Sequence, residues 1–392
     1  MPLLDLWEQS RIEIQKKQVQ QIIAIAGSGK LSDGNDASAE FRDLLAQLPS
    51  SILQRYADEC LANKFDGNGF ALQDVINQVG RRLGFQVVDG RYRGVPGQVG
   101  YDGLWTLGSG HTIVVEVKTS DAYRIDLNTV AEYRQHLIKD GKTSEGKSSI
   151  LIVVGRQDTG DLEAQIRGSR HAWDIRLISV DALLGLMGIK EKVEDPQNLR
   201  KISGILIPQE FTRVDGIIDL VFSTAADVLE GEEGDEVKQQ VGAGTDQAKP
   251  ASAPVKFNDA CILRIQMFLK RTLIKQTRVT YSTPDNTLSV ICAVSREYVD
   301  GGIPNYWFAF HPHQKDKLMS AGKGYIAFGC GSEETILLIP FKQFEEWLDG
   351  MNMTQLGDRS YWHVSIFREA DDFVLRRKRG FERITLTKFL LP

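Results

Sequence analysis

Asp102, Glu116 and Lys118 have the residue types and spacing for metal-assisted hydrolysis. Glu116 and Lys118 lie in Thr112-Ile113-Val114-Val115-Glu116-Val117-Lys118, an otherwise apolar run that reads as a strand. Side chains alternate between the faces of a strand. Ile113, Val115 and Val117 therefore point one way, and Val114, Glu116 and Lys118 the other. Two opposite charges on one apolar face are costly to bury unless they pair or bind a metal. Asp102 opens the preceding strand of the same hairpin, closed by Gly108-Ser109-Gly110, and can carry its carboxylate across to Glu116. Two carboxylates suit Mg²⁺, which takes hard oxygen ligands, waters and a substrate phosphate. Such an ion activates water and offsets charge on a phosphoryl group. A neighbouring lysine orients the attacking water or neutralises developing charge.

The surrounding pattern predicts the elements that must hold these residues. Residues 5–26 read as one helix ended by Gly27-Ser28-Gly29, and helices follow at about 37–47 and 50–62. Asp66-Gly67-Asn68-Gly69 is a turn, and a helix over about 70–82 closes at Gly84. A short strand at 85–88, a glycine-rich loop over 91–100 and the Asp102 hairpin come next. A helix over 126–139, a buried strand at 149–154, a short helix at 161–167 and a second buried strand at 175–179 complete an α/β sandwich. A helical tail is expected over 196–226.

Asp102, thirteen residues, then Glu116-Val117-Lys118 resembles the motif of the PD-(D/E)XK nuclease superfamily, to which most type II restriction enzymes belong. The likeness extends over residues 70–185 in element order. In the Mrr-like subgroup an acidic residue on the first core helix precedes a Gly-aromatic pair by eleven positions. Gln73 stands at that spacing from Gly84-Phe85, with glutamine in place of the usual glutamate, and Tyr101 replaces the proline of the motif name. The resemblance implies a restriction-endonuclease-like core with a mixed sheet flanked by helices. It also implies a catalytic set of Asp102, Glu116, Lys118 and Gln73, and Mg²⁺ held by Asp102, Glu116 and the Val117 backbone. It further implies endonucleolytic cleavage of double-stranded DNA, as in restriction or phage defence, by a homodimer.

Composition bounds the rest. Of 392 residues, 42% are hydrophobic and 25% charged, as in soluble folded proteins, so no membrane partner is expected. The charged N-terminus has no apolar stretch resembling a signal peptide. Cys60, Cys261, Cys292 and Cys330 have no paired spacing, which fits a reducing cytoplasm. The net charge of −5 conceals a basic C-terminal part. Residues 256–392 carry 19 Lys and Arg against 15 Asp and Glu, whereas 227–255 carry 2 against 7. The expected organisation is a helical extension over 1–69, a nuclease domain over 70–226, a disordered acidic linker over 227–255, and a C-terminal α+β DNA-recognition domain over 256–392.

Other signals are weaker. Arg167 and Arg170, after the short helix, are candidates for DNA phosphates, as are Arg376, Arg377, Lys378 and Arg379 in a basic turn. Tyr306, Trp307, Tyr361 and Trp362 offer stacking surfaces in the same domain as that turn. Tyr133, Arg134 and Gln135 lie where the superfamily often places residues that steady the site or touch DNA. Ala24 to Leu31 lacks the first glycine and the Ser/Thr of a phosphate-binding loop, so no nucleotide cofactor is expected. His311, His313, Cys330 and His363 match no zinc spacing. Two other functions stay open: a non-cleaving interaction protein on a nuclease scaffold, and a nuclease acting on RNA or repair intermediates.

Overall fold

In the computed structural model, residues 2–94, 100–119, 125–155, 160–208, 223–224, 254–300, 302–356 and 359–392 are described. The chain divides into two units. Unit 1 contains residues 1–191 and 197–221, and unit 2 contains 192–196 and 222–392. The expected acidic linker lies, apart from its last residues, outside the described residues.

Unit 1 begins with five helices. The stretch expected as one helix is three: α1 (Pro2–Gln9), α2 (Arg11–Lys16) and α3 (Val19–Ile25). The chain leaves the helical region at Ser10 and again at Lys17 and Gln18. Two contacts fix the second break. Gln18 and Gln21 form a capping box, and the Val19 amide donates to Glu59 Oε2 at 2.6 Å. Helices α4 (Asp36–Gln47) and α5 (Ser50–Ala62) follow. Gly27 ends α3 at φ +42°, and its amide donates to the buried Glu40 carboxylate. The next helix starts only at Asp36, so no helix N-terminus follows Gly29 as in a phosphate-binding loop.

Helix α6 (Asn68–Leu83) is buried on nearly every side. Gly84, at φ +101°, ends it, and the Phe85 amide reaches back to the Gly80 carbonyl. The sheet of unit 1 then runs β1 (Gln86–Asp89), β2 (Gly103–Thr106), β3 (Thr112–Lys118), β4 (Ser148–Val154) and β5 (Ile175–Ser179), in that spatial order. The first three strands are antiparallel, and β3, β4 and β5 are parallel. A parallel pair needs a crossover. Helix α7 (Leu127–Lys139) joins β3 to β4, and α8 (Gly160–Arg167) joins β4 to β5. Both pack on the face of Val114, Ile150 and Ile152, and α6 covers β1, β2 and β3. Strand β5 is only partly buried, contrary to expectation, because it is an edge strand. Two helices follow: α9 (Val180–Lys190), which sequence periodicity did not reveal, and α10 (Pro196–Gly204).

Unit 2 has two sheets. One holds β6 (Ile274–Lys275), β7 (Thr280–Ser282), β8 (Leu288–Ser295), β11 (Lys323–Cys330) and β12 (Ile336–Pro340), with β8 and β11 parallel. The other holds β9 (Tyr298–Asp300), β10 (Ile303–Phe310), β13 (Met353–Leu356), β14 (Arg359–Glu369), β15 (Asp372–Arg376) and β16 (Ile384–Thr385), all antiparallel. A core of Tyr306, Phe308, Phe310, Phe328, Phe344, Val364 and Ile366 draws on both sheets. Helix α11 (Pro254–Leu269) covers the first sheet through Cys261, Ile262 and Ile265. Two shorter helices, α12 (Pro312–Ser320) and α13 (Phe341–Glu345), complete the unit. Both units thus combine helices with strands, and each contains a mixed sheet flanked by helices.

Candidate functional site

The end of β3 and the start of β2 bring the three sequence candidates together. Glu116 is 9% exposed, and Lys118 donates to its Oε1 at 2.6 Å. Asp102 immediately precedes β2, where its own amide still donates to Val115 O. Its carboxylate reaches the next position of β3: Oδ2 accepts from the Val117 amide at 2.7 Å. Within an extended residue the N–H and C=O point to the same side. The Val117 carbonyl therefore faces the Asp102 side as well, beyond the point where β2 begins.

Three donors fix the Asp102 backbone. Its carbonyl accepts from Gln73 Nε2 at 3.0 Å, Asn77 Nδ2 at 2.9 Å and the Gly90 amide at 3.0 Å. Gln73 thus acts on the backbone of Asp102, and none of its hydrogen bonds reaches a carboxylate of the site. Asn77 is the residue that sequence reasoning missed. It is fully buried, and its Oδ1 accepts from Trp105 Nε1 at 2.9 Å. The missed signal was its spacing, one helical turn after Gln73, which puts two amides on one face of α6. Gly103 permits this approach, since a Cβ there would stand 2.2 Å from Asn77 Oδ1.

The electrostatics follow from burial. Asp102 is pushed from 3.8 up to about 7, first by desolvation and then by the Glu116 charge, against the Val117 hydrogen bond and Lys118. Burial would lower Lys118, but Glu116 and Asp102 outweigh it and leave the ammonium raised. Lys118 is therefore a fixed cation at neutral pH rather than a base. Glu116 Oε2 is buried and, among the described residues, has no hydrogen-bond partner. A buried anionic oxygen without a donor is costly. A cation beside it would remove that cost and offset the carboxylate repulsion. Asp102, Glu116 and the Val117 carbonyl thus fit a hard divalent ion. Only two carboxylates converge, and no group of three or more His, Cys, Asp or Glu is placed to hold a metal among the described residues.

Other candidates are placed differently. Tyr133, half-buried on α7, feels the charges of Glu116, Lys118 and Asp102 and so lies beside the site. Arg134 is buried elsewhere, bonded to Ser148 Oγ, Glu145 O and Asp174. Gln135 is exposed. Arg167 and Arg170 are exposed, and no hydrogen bond or ion pair among the described residues joins them to the Asp102 cluster. Arg170 donates to His171. The chain there approaches the start of β5, beside Ile150, away from the Lys118 end of β3.

The basic turn of unit 2 does not present four free cations. Arg376 donates to Glu369 at 2.6 and 3.0 Å and covers the Phe367 ring. Arg377 donates to Glu382 O and lies over Phe381. Of the four, Lys378 and Arg379 are exposed and the two arginines before them are half-buried. The four aromatics also divide. Tyr306 is in the core and Trp362 packs against it, whereas Trp307 and Tyr361 lie on the opposite face of the sheet. His311 is lowered to about 4, by burial and then by His313, and stacks on His313. His313 faces the buried Glu194 at 3.4 Å, Cys330 is bonded to Phe328 O, and His363 joins Trp307 and Thr354.

The sequence matches no protein-family model, and no curated protein matches it.

Proposed function

We propose that unit 1 is a Mg²⁺-dependent endonuclease that hydrolyses DNA phosphodiester bonds, with a restriction-endonuclease-like core, acting in restriction or phage defence. One observation carries this reading: Asp102 and Glu116 converge beside an ammonium while Glu116 Oε2 stays buried with no hydrogen-bond partner among the described residues. Asp102, Glu116 and the Val117 carbonyl would hold the ion. Bound there, Mg²⁺ would lower the pKa of a water and offset charge on the phosphate.

The side chains do the remaining work. Lys118, kept protonated by Glu116, gives a fixed positive donor for the attacking water or the phosphate oxygens. The Val117 amide holds Asp102 Oδ2 in one orientation. Gln73, Asn77 and Gly90 pin the Asp102 carbonyl, so the carboxylate is positioned before any substrate arrives. Residues 256–392, the basic part of the chain, serve target recognition in this reading, and two copies of the chain would cut the two strands of a duplex. No helix among the described residues is long and apolar enough to cross a membrane.

The test is incubation of the purified protein with modified and unmodified phage DNA, in Mg²⁺ and in EDTA. Fragmentation only with Mg²⁺ supports the reading, and intact DNA under every condition removes it.

A further inference from the structure

The six-stranded sheet of unit 2 has one aromatic face in the core and a second outside it. Tyr306, Phe308, Phe310, Val364 and Ile366 point inward and are at most 3% exposed. The alternate residues Trp307, Tyr361 and His363 are half-exposed on the other face. Their rings touch one another. Trp307 meets Tyr361 edge-on at 6.3 Å and 84°, His363 lies 5.7 Å from Trp307, and Tyr361 lies 5.0 Å from His363.

The polar edges of this cluster are already engaged. Trp307 Nε1 donates to His363 Nδ1 at 3.2 Å, and His363 Nε2 bonds Thr354 Oγ1 at 2.6 Å. These bonds set the Trp307 and His363 rings at defined angles, and all three rings are partly exposed. Such preorganisation lowers the entropy lost when a planar ligand stacks. Arg376 stands on the same face. Ser365 pairs with Trp307 on one side and with Arg376 on the other, so one cross-strand row carries an indole and a guanidinium. At about 4.8 Å per strand their backbones are about 10 Å apart. Lys378 and Arg379, exposed, follow Arg376 directly.

We propose that Trp307, Tyr361 and His363 form a stacking site for an unpaired DNA nucleotide on a single strand. The proposal rests on the nuclease reading for its choice of DNA, and on the aromatic row for its chemistry. A paired base hides both faces in the helical stack and offers nothing to such a row, whereas an unpaired base offers a whole face. The exposed Lys378 and Arg379 match a phosphate backbone leading to and from that base.

The experiment uses the full chain in EDTA, so that cleavage does not intervene, and a fluorescent dT oligonucleotide, the matching rU oligonucleotide and a blunt duplex. Trp307→Ala and Tyr361→Ala should each weaken dT binding about 5- to 100-fold, the range of one lost stacking contact. Trp307→Phe should recover most of it, which a merely misfolded variant would not. Unchanged dT binding in both alanine variants, or no dT binding by the wild type, overturns the proposal. Equal sensitivity of duplex binding to Trp307→Ala also overturns it, and preference for rU overturns the assignment to DNA. Cleavage in Mg²⁺ is read separately. An inactive protein whose dT binding depends on Trp307 keeps the stacking site and loses the nuclease, and an active protein with no such dependence does the reverse.

Discussion

The Val117 amide donates to Asp102 Oδ2 at 2.7 Å, tying the residue that opens β2 to the penultimate residue of β3. That bond holds Asp102 beside Glu116, where burial and the second carboxylate raise it to about 7. An acid raised on folding stabilises the fold below its unfolded pKa, near 4, and loses that contribution as pH rises through the folded value. In EDTA, the unfolding transition of wild type should fall relative to Asp102→Asn between pH 5 and pH 8. At about 2–4 °C per kcal/mol, the variant should melt a few degrees higher at pH 8, less so at pH 5, and level with wild type only near pH 4. A constant difference across that range would show that Asp102 is not under this strain.

The same strain would make Mg²⁺, bound as proposed, a stabiliser. A ligand that binds only the folded state raises stability by RT ln(1 + [L]/Kd), about 2.7 kcal/mol at a hundredfold excess over Kd. Thermal melts at pH 8 should rise with Mg²⁺ for the wild type and stay flat for Glu116→Gln. Equal shifts in both proteins would place the ion elsewhere.

Asn77 supports the site from α6, and Gly103 leaves it room. Asn77→Leu removes a donor from Asp102 O and leaves the buried Trp105 indole N–H unpaired. An orphaned buried group costs about 1–3 kcal/mol. The variant should melt lower by that amount and cut more slowly at saturating Mg²⁺. Gly103→Ala, by pushing Asn77 off the Asp102 carbonyl, should show the same pair of effects. Wild-type cleavage by both would release α6 from a positioning role.

Much of this was legible because strand periodicity and charge spacing report the same geometry. The alternation in Thr112–Lys118 put Glu116 and Lys118 on one face, and the hairpin turn put Asp102 across from them; the structure has that arrangement. The boundaries of α6, α7 and β4 followed from apolar runs and glycine stops. What failed were features set by distant partners. The break before Val19 rests partly on Glu59, forty residues on, and its one local mark is a capping box built from two glutamines, Gln18 and Gln21. Helix α9 was overlooked because Leu183, Leu184, Leu186 and Met187 are apolar all round and give no amphipathic stripe. The engagement of Arg376 by Glu369 comes from strand pairing across a turn, which composition does not show.

That engagement limits what the basic turn would contribute to the proposed DNA binding. Each neutralised phosphate adds about 0.9 to the magnitude of the log–log salt slope on duplex DNA. Lys378→Ala with Arg379→Ala should flatten the slope by at most about two units. Adding Arg376→Ala and Arg377→Ala should change it little further, because both guanidiniums already have protein partners. A loss of about four units for the quadruple variant would mean that both arginines leave those partners for phosphate.

The central claim is that Asp102, Glu116 and Lys118 cut DNA. The most direct measurement is cleavage of a susceptible DNA in Mg²⁺ by wild type, Asp102→Ala, Glu116→Ala and Lys118→Ala, with circular dichroism to confirm folding. The account predicts that each folded variant loses about a hundredfold or more in rate, the scale for removing a preorganised charge or donor. Cleavage by Lys118→Ala at the wild-type rate would contradict it.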